Sequence, residues 1–138
     1  MSIKEIQEEI IEEFAMFDDW MQKYDYLIEL SKDIPLISEE YRLNENLIKG
    51  CQSKVWLHAR QIDEKVIYTA DSDAIITKGI AALLIRVLSA QKAQDVLENE
   101  MYFIDAIGLK EHLSMTRSNG LVSMIKQMKF YALAFQAK

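Results

Sequence analysis

A chain of 138 residues, half of them hydrophobic and 28% charged, is long enough for a real core and too apolar to be disordered. Its net charge of −6 argues against a general nucleic-acid binder, which needs a basic face for phosphates. No apolar run is long enough to span a bilayer, and the start Met1-Ser2-Ile3-Lys4-Glu5 has no signal-peptide core, so a cytoplasmic protein without membrane contact is expected.

Four glycines and one proline predict long regular elements in a single domain over 1–138. Ile3, Ile6, Ile10, Phe14 and Phe17 recur at three- and four-residue steps and predict an amphipathic first helix. Asp18 and Asp19 offer the N-cap of a second, carrying Trp20, Tyr24, Leu27 and Ile28 and stopping near Asp33, ahead of Pro35. Leu36 to Gly50 reads as a connection, with a short strand near Leu47 and Ile48.

Val55, Leu57 and Ala59 then alternate with Trp56, His58 and Arg60; Val66, Tyr68 and Ala70 alternate with Ile67 and Thr69. With Gln61 to Glu64 between them, these predict an antiparallel hairpin. Asp71 and Asp73 are candidate helix caps for a helix from about Ala74 to Ser89, apolar on most sides and therefore central. Gly79 within it predicts close packing against the sheet. A short helical turn is expected at Gln94–Leu97, a helix from Tyr102 to Leu113 broken or ended near Gly108, a polar cap region over Ser114–Gly120, and a last helix with Leu121, Met124, Ile125, Met128, Tyr131, Ala132 and Phe135 on one face. The pattern is α+β: a small antiparallel sheet of two to three strands packed against several helices.

Cys51 is the only cysteine. It has no partner for an internal disulfide and cannot alone build a zinc or iron–sulfur site, so no bound metal or cofactor is expected. Gly50 before it permits a tight or left-handed turn, while Gln52 and Ser53 after it are polar and lead into the first strand. The context Gly-Cys-Gln-Ser places the thiol on a loop, where functional side chains are commonly presented. Free cysteine is also among the most buried residue types, so the residues alone leave a reactive thiol and an inert one both open.

Three motifs decide between them. They are Gly50-Cys51-Gln52-Ser53 followed by Val55-Trp56; Asp71-Ser72-Asp73-Ala74 with Lys78-Gly79; and Leu113-Ser114 followed by Arg117-Ser118-Asn119-Gly120-Leu121. In this order, over nearly the whole chain, they resemble the SufE family of sulfur-acceptor proteins in iron–sulfur cluster assembly. Met115 departs from the pattern, which usually has proline there; at a helix entry this affects only local stiffness.

The resemblance implies a sulfur carrier, not itself an enzyme. It would accept sulfane sulfur as a persulfide on Cys51 from a pyridoxal-phosphate-dependent cysteine desulfurase (SufS- or CsdA-like), raise that enzyme's turnover, and pass the sulfur to an iron–sulfur scaffold complex (SufBCD-like). Cys51 would rest partly shielded, with Gly50 as the hinge of a loop that swings out on docking. Arg117 is a candidate contact to the thiolate, the persulfide or the partner. Gln52 and Ser53 would support the loop, and Lys49 and Lys54 are placed to lower the thiol's pKa. His58 and His112 are read as structural, and Trp56 as packing. The competing classes are an iron–sulfur scaffold, a thiol-based redox protein, and a structural interaction module with an inert cysteine.

Overall fold

The computed structural model describes residues 1–137. Helix α1 (Ile3–Ala15) opens with a capping box, in which Ser2 Oγ accepts from Glu5 N–H while the Glu5 carboxylate accepts from Ser2 N–H. It buries Ile3, Ile10 and Phe14. Asp19 caps α2 (Trp20–Ser31) by accepting from Gln22 N–H. The pairing of these helices with the rest is partly ionic: Arg86 donates to Glu9 (2.7 Å) and Glu13 (2.9 Å) of α1, and the Tyr26 hydroxyl donates to the same Glu13.

Strands β1 (Val55–Ile62) and β2 (Lys65–Ser72) form the expected hairpin, longer than its alternation shows. The pairing runs from Ile62↔Lys65 to Val55↔Ser72, so the turn is only Asp63-Glu64, both with positive φ (50° and 69°). Such a turn matches the twist of the strands and lets the ladder start at once, which is why Gln61 and Ile62 are paired rather than looped. A third strand, β3 (Gln91–Lys92), pairs with Lys65 and Val66 to give the order β1-β2-β3. Val55, Leu57 and Ala59 with Val66, Tyr68 and Ala70 form the buried face.

Helix α3 (Ile75–Leu88) is the central one, with Ile80, Leu83, Leu84, Val87 and Leu88 all buried. Its glycine does not serve the sheet. A β-carbon on Gly79 would lie 2.3 Å from the Leu27 carbonyl oxygen, so the close approach is to the backbone of α2. Helix α4 (Ala93–Glu98) lies where a short helix is expected. The helix predicted over Tyr102–Leu113 is instead α5 (Phe103–Ala106) and a 3₁₀ turn at Lys110–His112. Gly108, at φ 71°, ends α5: its N–H donates to Asp105 O and Leu109 N–H to Ile104 O, the double bond of a glycine-terminated helix. Gln7, fully buried, ties α1 to this region by donating to Glu100 O and accepting from Phe103 N–H.

Helix α6 (Met115–Gln136) begins six residues earlier than its apolar face suggests, because Ser114 caps it by accepting from Arg117 N–H. Arg117 to Gly120 are therefore helical, not a preceding cap region. Leu121, Met124, Met128 and Ala132 are its buried stripe, and the buried Tyr68 hydroxyl joins sheet to helix by donating to Met128 O at 2.6 Å. Among the described residues no helix is long and apolar enough to cross a membrane.

Gly79→Ala should lower stability by about 1–3 kcal/mol despite the better helix propensity of alanine, because the added methyl overlaps backbone that cannot rotate away. Chemical denaturation of the two proteins checks this.

Candidate functional site

The site is built where the hairpin's open end meets the segment before it. Ile48 N–H donates to Val55 O at 2.8 Å, closing the loop at its base. At the other base Lys54 is held three times: its N–H donates to Asp73 Oδ1 (3.0 Å), and its carbonyl accepts from Asp73 N–H (3.2 Å) and Ser72 Oγ (2.8 Å). Between these anchors, among the described residues, residues 49–53 make no hydrogen bond through their backbone. The loop is thus fixed at both ends and free in the middle, and Cys51 sits at its centre.

Gly50 has φ 88°, a left-handed conformation that glycine adopts without strain. That turn lays Cys51 against the core, where it is half-buried. A cavity of about 300 Å³ opens beside it, lined by Cys51, Gln52 and Ser53 of the loop, Thr77 of α3, and Arg117 and Gly120 of α6. Four of the expected site residues, Cys51, Gln52, Ser53 and Arg117, therefore share one cavity, although Arg117 lies far along the chain from the other three. Gly50 supplies the turn that brings them together.

Asp71 and Asp73 do not cap α3. The helix starts at Ile75 behind Ala74, without a side-chain cap. Strand β2 runs on to Ser72, so Asp71 still lies in the ladder opposite Trp56, too early to reach the helix. Its carboxylate instead pairs with Arg42 (2.6 Å) and Lys78 (3.2 Å) and accepts from Ser72 N–H. The side chain of Asp73 is committed to Lys54, so its role is to anchor the cysteine loop. Arg42 also lies over the Trp56 ring, 5.0 Å from its centre, a cation–π contact that joins Trp56 to this ion-pair cluster rather than to the apolar core.

Electrostatics at the thiol run opposite to the expectation from its flanking lysines. Burial pushes the Cys51 pKa up, and no neighbouring charge counters it. Lys49 and Lys54 are exposed and face solvent, so their charges are screened. At Asp71 burial also pushes the pKa up, but the hydrogen bonds from Arg42, Ser72 N–H and Lys78 outweigh it and hold the carboxyl below its ordinary range. His58 stacks on Tyr41 (3.7 Å between rings) and is pushed towards the neutral form by burial; His112 stacks on Trp20 at 4.0 Å. Neither lines the cysteine cavity.

Three contributors were not read from the sequence as part of the site. Thr77 lies inside an apolar helical run, Arg42 in a stretch with no periodicity, and Gly120 within a motif that says nothing of space. For Gly120 a signal existed: a glycine inside a helix needs a packing reason.

Fold and site together define a small α+β protein that presents one half-buried thiol, on a loop anchored at both ends, to a cavity edged by a guanidinium. The family model for SufE, described as an Fe-S metabolism associated domain, matches residues 8–132. An uncharacterized SufE-like protein of Rhizobium meliloti is 39% identical over 127 residues, covering 88% of this chain and 91% of its own length. The Arabidopsis thaliana SufE-like protein 1, chloroplastic/mitochondrial, is 36% identical over 132 residues, which is 95% of this chain but only 36% of that longer protein. The solution structure of a hypothetical protein from Thermus thermophilus shares the fold, with a TM-score of 0.80 over 96% of this chain and 97% of that one, at 21% identity. The chain belongs to the SufE family.

Two outcomes follow from these charges. The native thiol should alkylate slowly at neutral pH, with a rate that rises through a midpoint above that of the denatured chain; iodoacetamide trapping across pH reads this directly. Asp71, whose folded pKa is depressed, contributes stability that is present above pH about 4 and lost as pH falls below it. Asp71→Asn should therefore cost about 1–3 kcal/mol at neutral pH and show a shallower acid loss, as measured by urea melts at several pH values.

Proposed function

We propose that this protein is the sulfur acceptor and activator of a cysteine desulfurase, carrying sulfane sulfur on Cys51 towards iron–sulfur cluster assembly. The observation that supports it best is the state of Cys51: half-buried, un-ionised at rest, and held on a loop whose middle has no backbone bonds to break. A carrier needs a nucleophile that stays quiet in solvent and is released on a partner. Membership of a family associated with Fe–S metabolism supports the destination.

The transfer is an exchange between sulfur atoms. The partner's cysteine persulfide presents an outer sulfur bonded to an inner one. The Cys51 thiolate attacks the outer sulfur, the partner's S–S bond breaks, and the partner's cysteine leaves as a thiolate. Cys51 then holds the persulfide, and no external oxidant or reductant is consumed. This chain's part is to supply the thiolate, and burial opposes that. Swinging the loop about Gly50, out of its half-buried place, removes the opposition and uncovers the sulfur together. Arg117, exposed at the cavity edge, supplies a permanent positive charge for the thiolate, for the loaded persulfide or for a carboxylate of the partner. The pyridoxal phosphate that generates the sulfur belongs to the desulfurase; here the work is done by thiol chemistry alone. A free thiol of this kind suits a reducing compartment such as the cytoplasm.

The other classes fit less well. An iron–sulfur scaffold holds its cluster through several thiolates, and this chain has one cysteine. A thiol peroxidase keeps its cysteine ionised and poised, whereas burial holds this one protonated.

Incubation with a cysteine desulfurase and L-cysteine should add sulfur mass to the native protein and none to Cys51→Ser, and should speed alanine release. Absence of both sulfur gain and activation with a competent enzyme of the same source would overturn the proposal.

A further inference from the structure

Gly120 lies within α6, where glycine costs about 1 kcal/mol relative to alanine. Its backbone does not require it: among the described residues the glycines with positive φ are Gly50 and Gly108. The space around it does. A β-carbon on Gly120 would stand 3.0 Å from Cys51 Sγ, 3.7 Å from Cys51 Cβ and 3.8 Å from Cys51 Cα. All three nearest atoms belong to the acceptor cysteine, and the first is closer than carbon and sulfur approach without overlap.

The preceding loop residue repeats the relation one turn along the helix. A β-carbon on Gly50 would stand 3.2 Å from Ser123 Oγ. Gly120 and Ser123, three apart, share a face of α6. Two consecutive loop residues thus rest on two small residues of one helical face, with the sulfur in the place a side chain would fill.

We propose that Gly120 is a positioning residue for the acceptor reaction: its missing side chain is the seat that holds the Cys51 sulfur in the shielded state. The inference deepens the sulfur-acceptor reading and rests on it for its purpose. It makes α6 the fixed wall and the loop the moving part, since the helix is internally bonded while residues 49–53 are not. Filling the seat therefore displaces the cysteine rather than the helix. The thiol moves towards water and loses part of the burial that keeps it protonated.

The test uses the purified full chain with iodoacetamide and no desulfurase, so it stands apart from whether sulfur is loaded. Gly120→Ala should lower the pH midpoint of alkylation by about half a pH unit, and so raise the rate at neutral pH about three-fold. Asn119→Ala, exposed on the same helix, gains helix propensity without meeting the thiol and should alkylate as the native protein does. Native-like alkylation of Gly120→Ala, or equal acceleration in Asn119→Ala, overturns the proposal. If Gly120→Ala lowers the melting temperature, the loss should vanish in a Cys51→Ala background, where the overlapping sulfur is gone. An equal loss in both backgrounds would show that the glycine serves packing of another kind, and also overturns it.

Discussion

The register of the β1–β2 hairpin is the constraint on which the rest depends. Its pairing ends at Val55↔Ser72, and that places Ser72 and Asp73 beside Lys54, the last residue of the cysteine loop. A slip of one residue would turn Leu57 and Tyr68 out of the core and would also detach Lys54 from its three bonds. The two-residue turn at Asp63-Glu64 sets that register, at some backbone cost, since neither residue is glycine and both have positive φ. Fold stability and loop placement are therefore one problem in this chain, solved by the same strand pair.

Around that frame, charge and burial divide the work by location. At Asp71 two cations and a backbone N–H outweigh desolvation, so a nearly buried carboxylate stays ionised and binds Arg42 and Lys78 to the sheet. At Cys51 nothing outweighs desolvation, so the thiol stays protonated. The contrast lies in hydrogen bonding. Asp71 has donors aimed at it, whereas exposed lysines near Cys51 in sequence contribute little through solvent. Proximity along the chain is a poor guide to electrostatic effect.

The same distinction explains what the sequence made legible. Periodicity located the main helices and the hairpin, because those elements bury one face in a regular pattern. It missed β3, since two residues carry no alternation; the break or end near Gly108 was legible, and Gly108 does end α5, by a turn rather than by a change in polarity. Cys51, Gln52, Ser53 and Arg117 were legible as a site through the ordered motifs, and the cavity joins them. The aspartates were legible as important but not in their role. Whether Asp73 caps a helix or anchors a loop depends on where β2 ends, and the last paired residue leaves no mark in hydropathy. Gly79 was legible as a close contact, but its partner, the backbone of α2, is a matter of tertiary arrangement.

The anchoring of the loop at Ile48 and Lys54 also sets a length. Five residues separate the anchors, and Cys51 is the third from either end. A chain advances at most about 3.3–3.6 Å per residue, so the Cys51 backbone reaches no further than roughly 10 Å from its tether points even when the loop is fully drawn out, and the sulfur stands only two bonds beyond it. An arm that short cannot search a deep pocket in another protein. In the proposed transfer the donor sulfur has to be delivered nearly to the surface at which the two proteins meet, and the angle of that meeting becomes as selective as the chemistry.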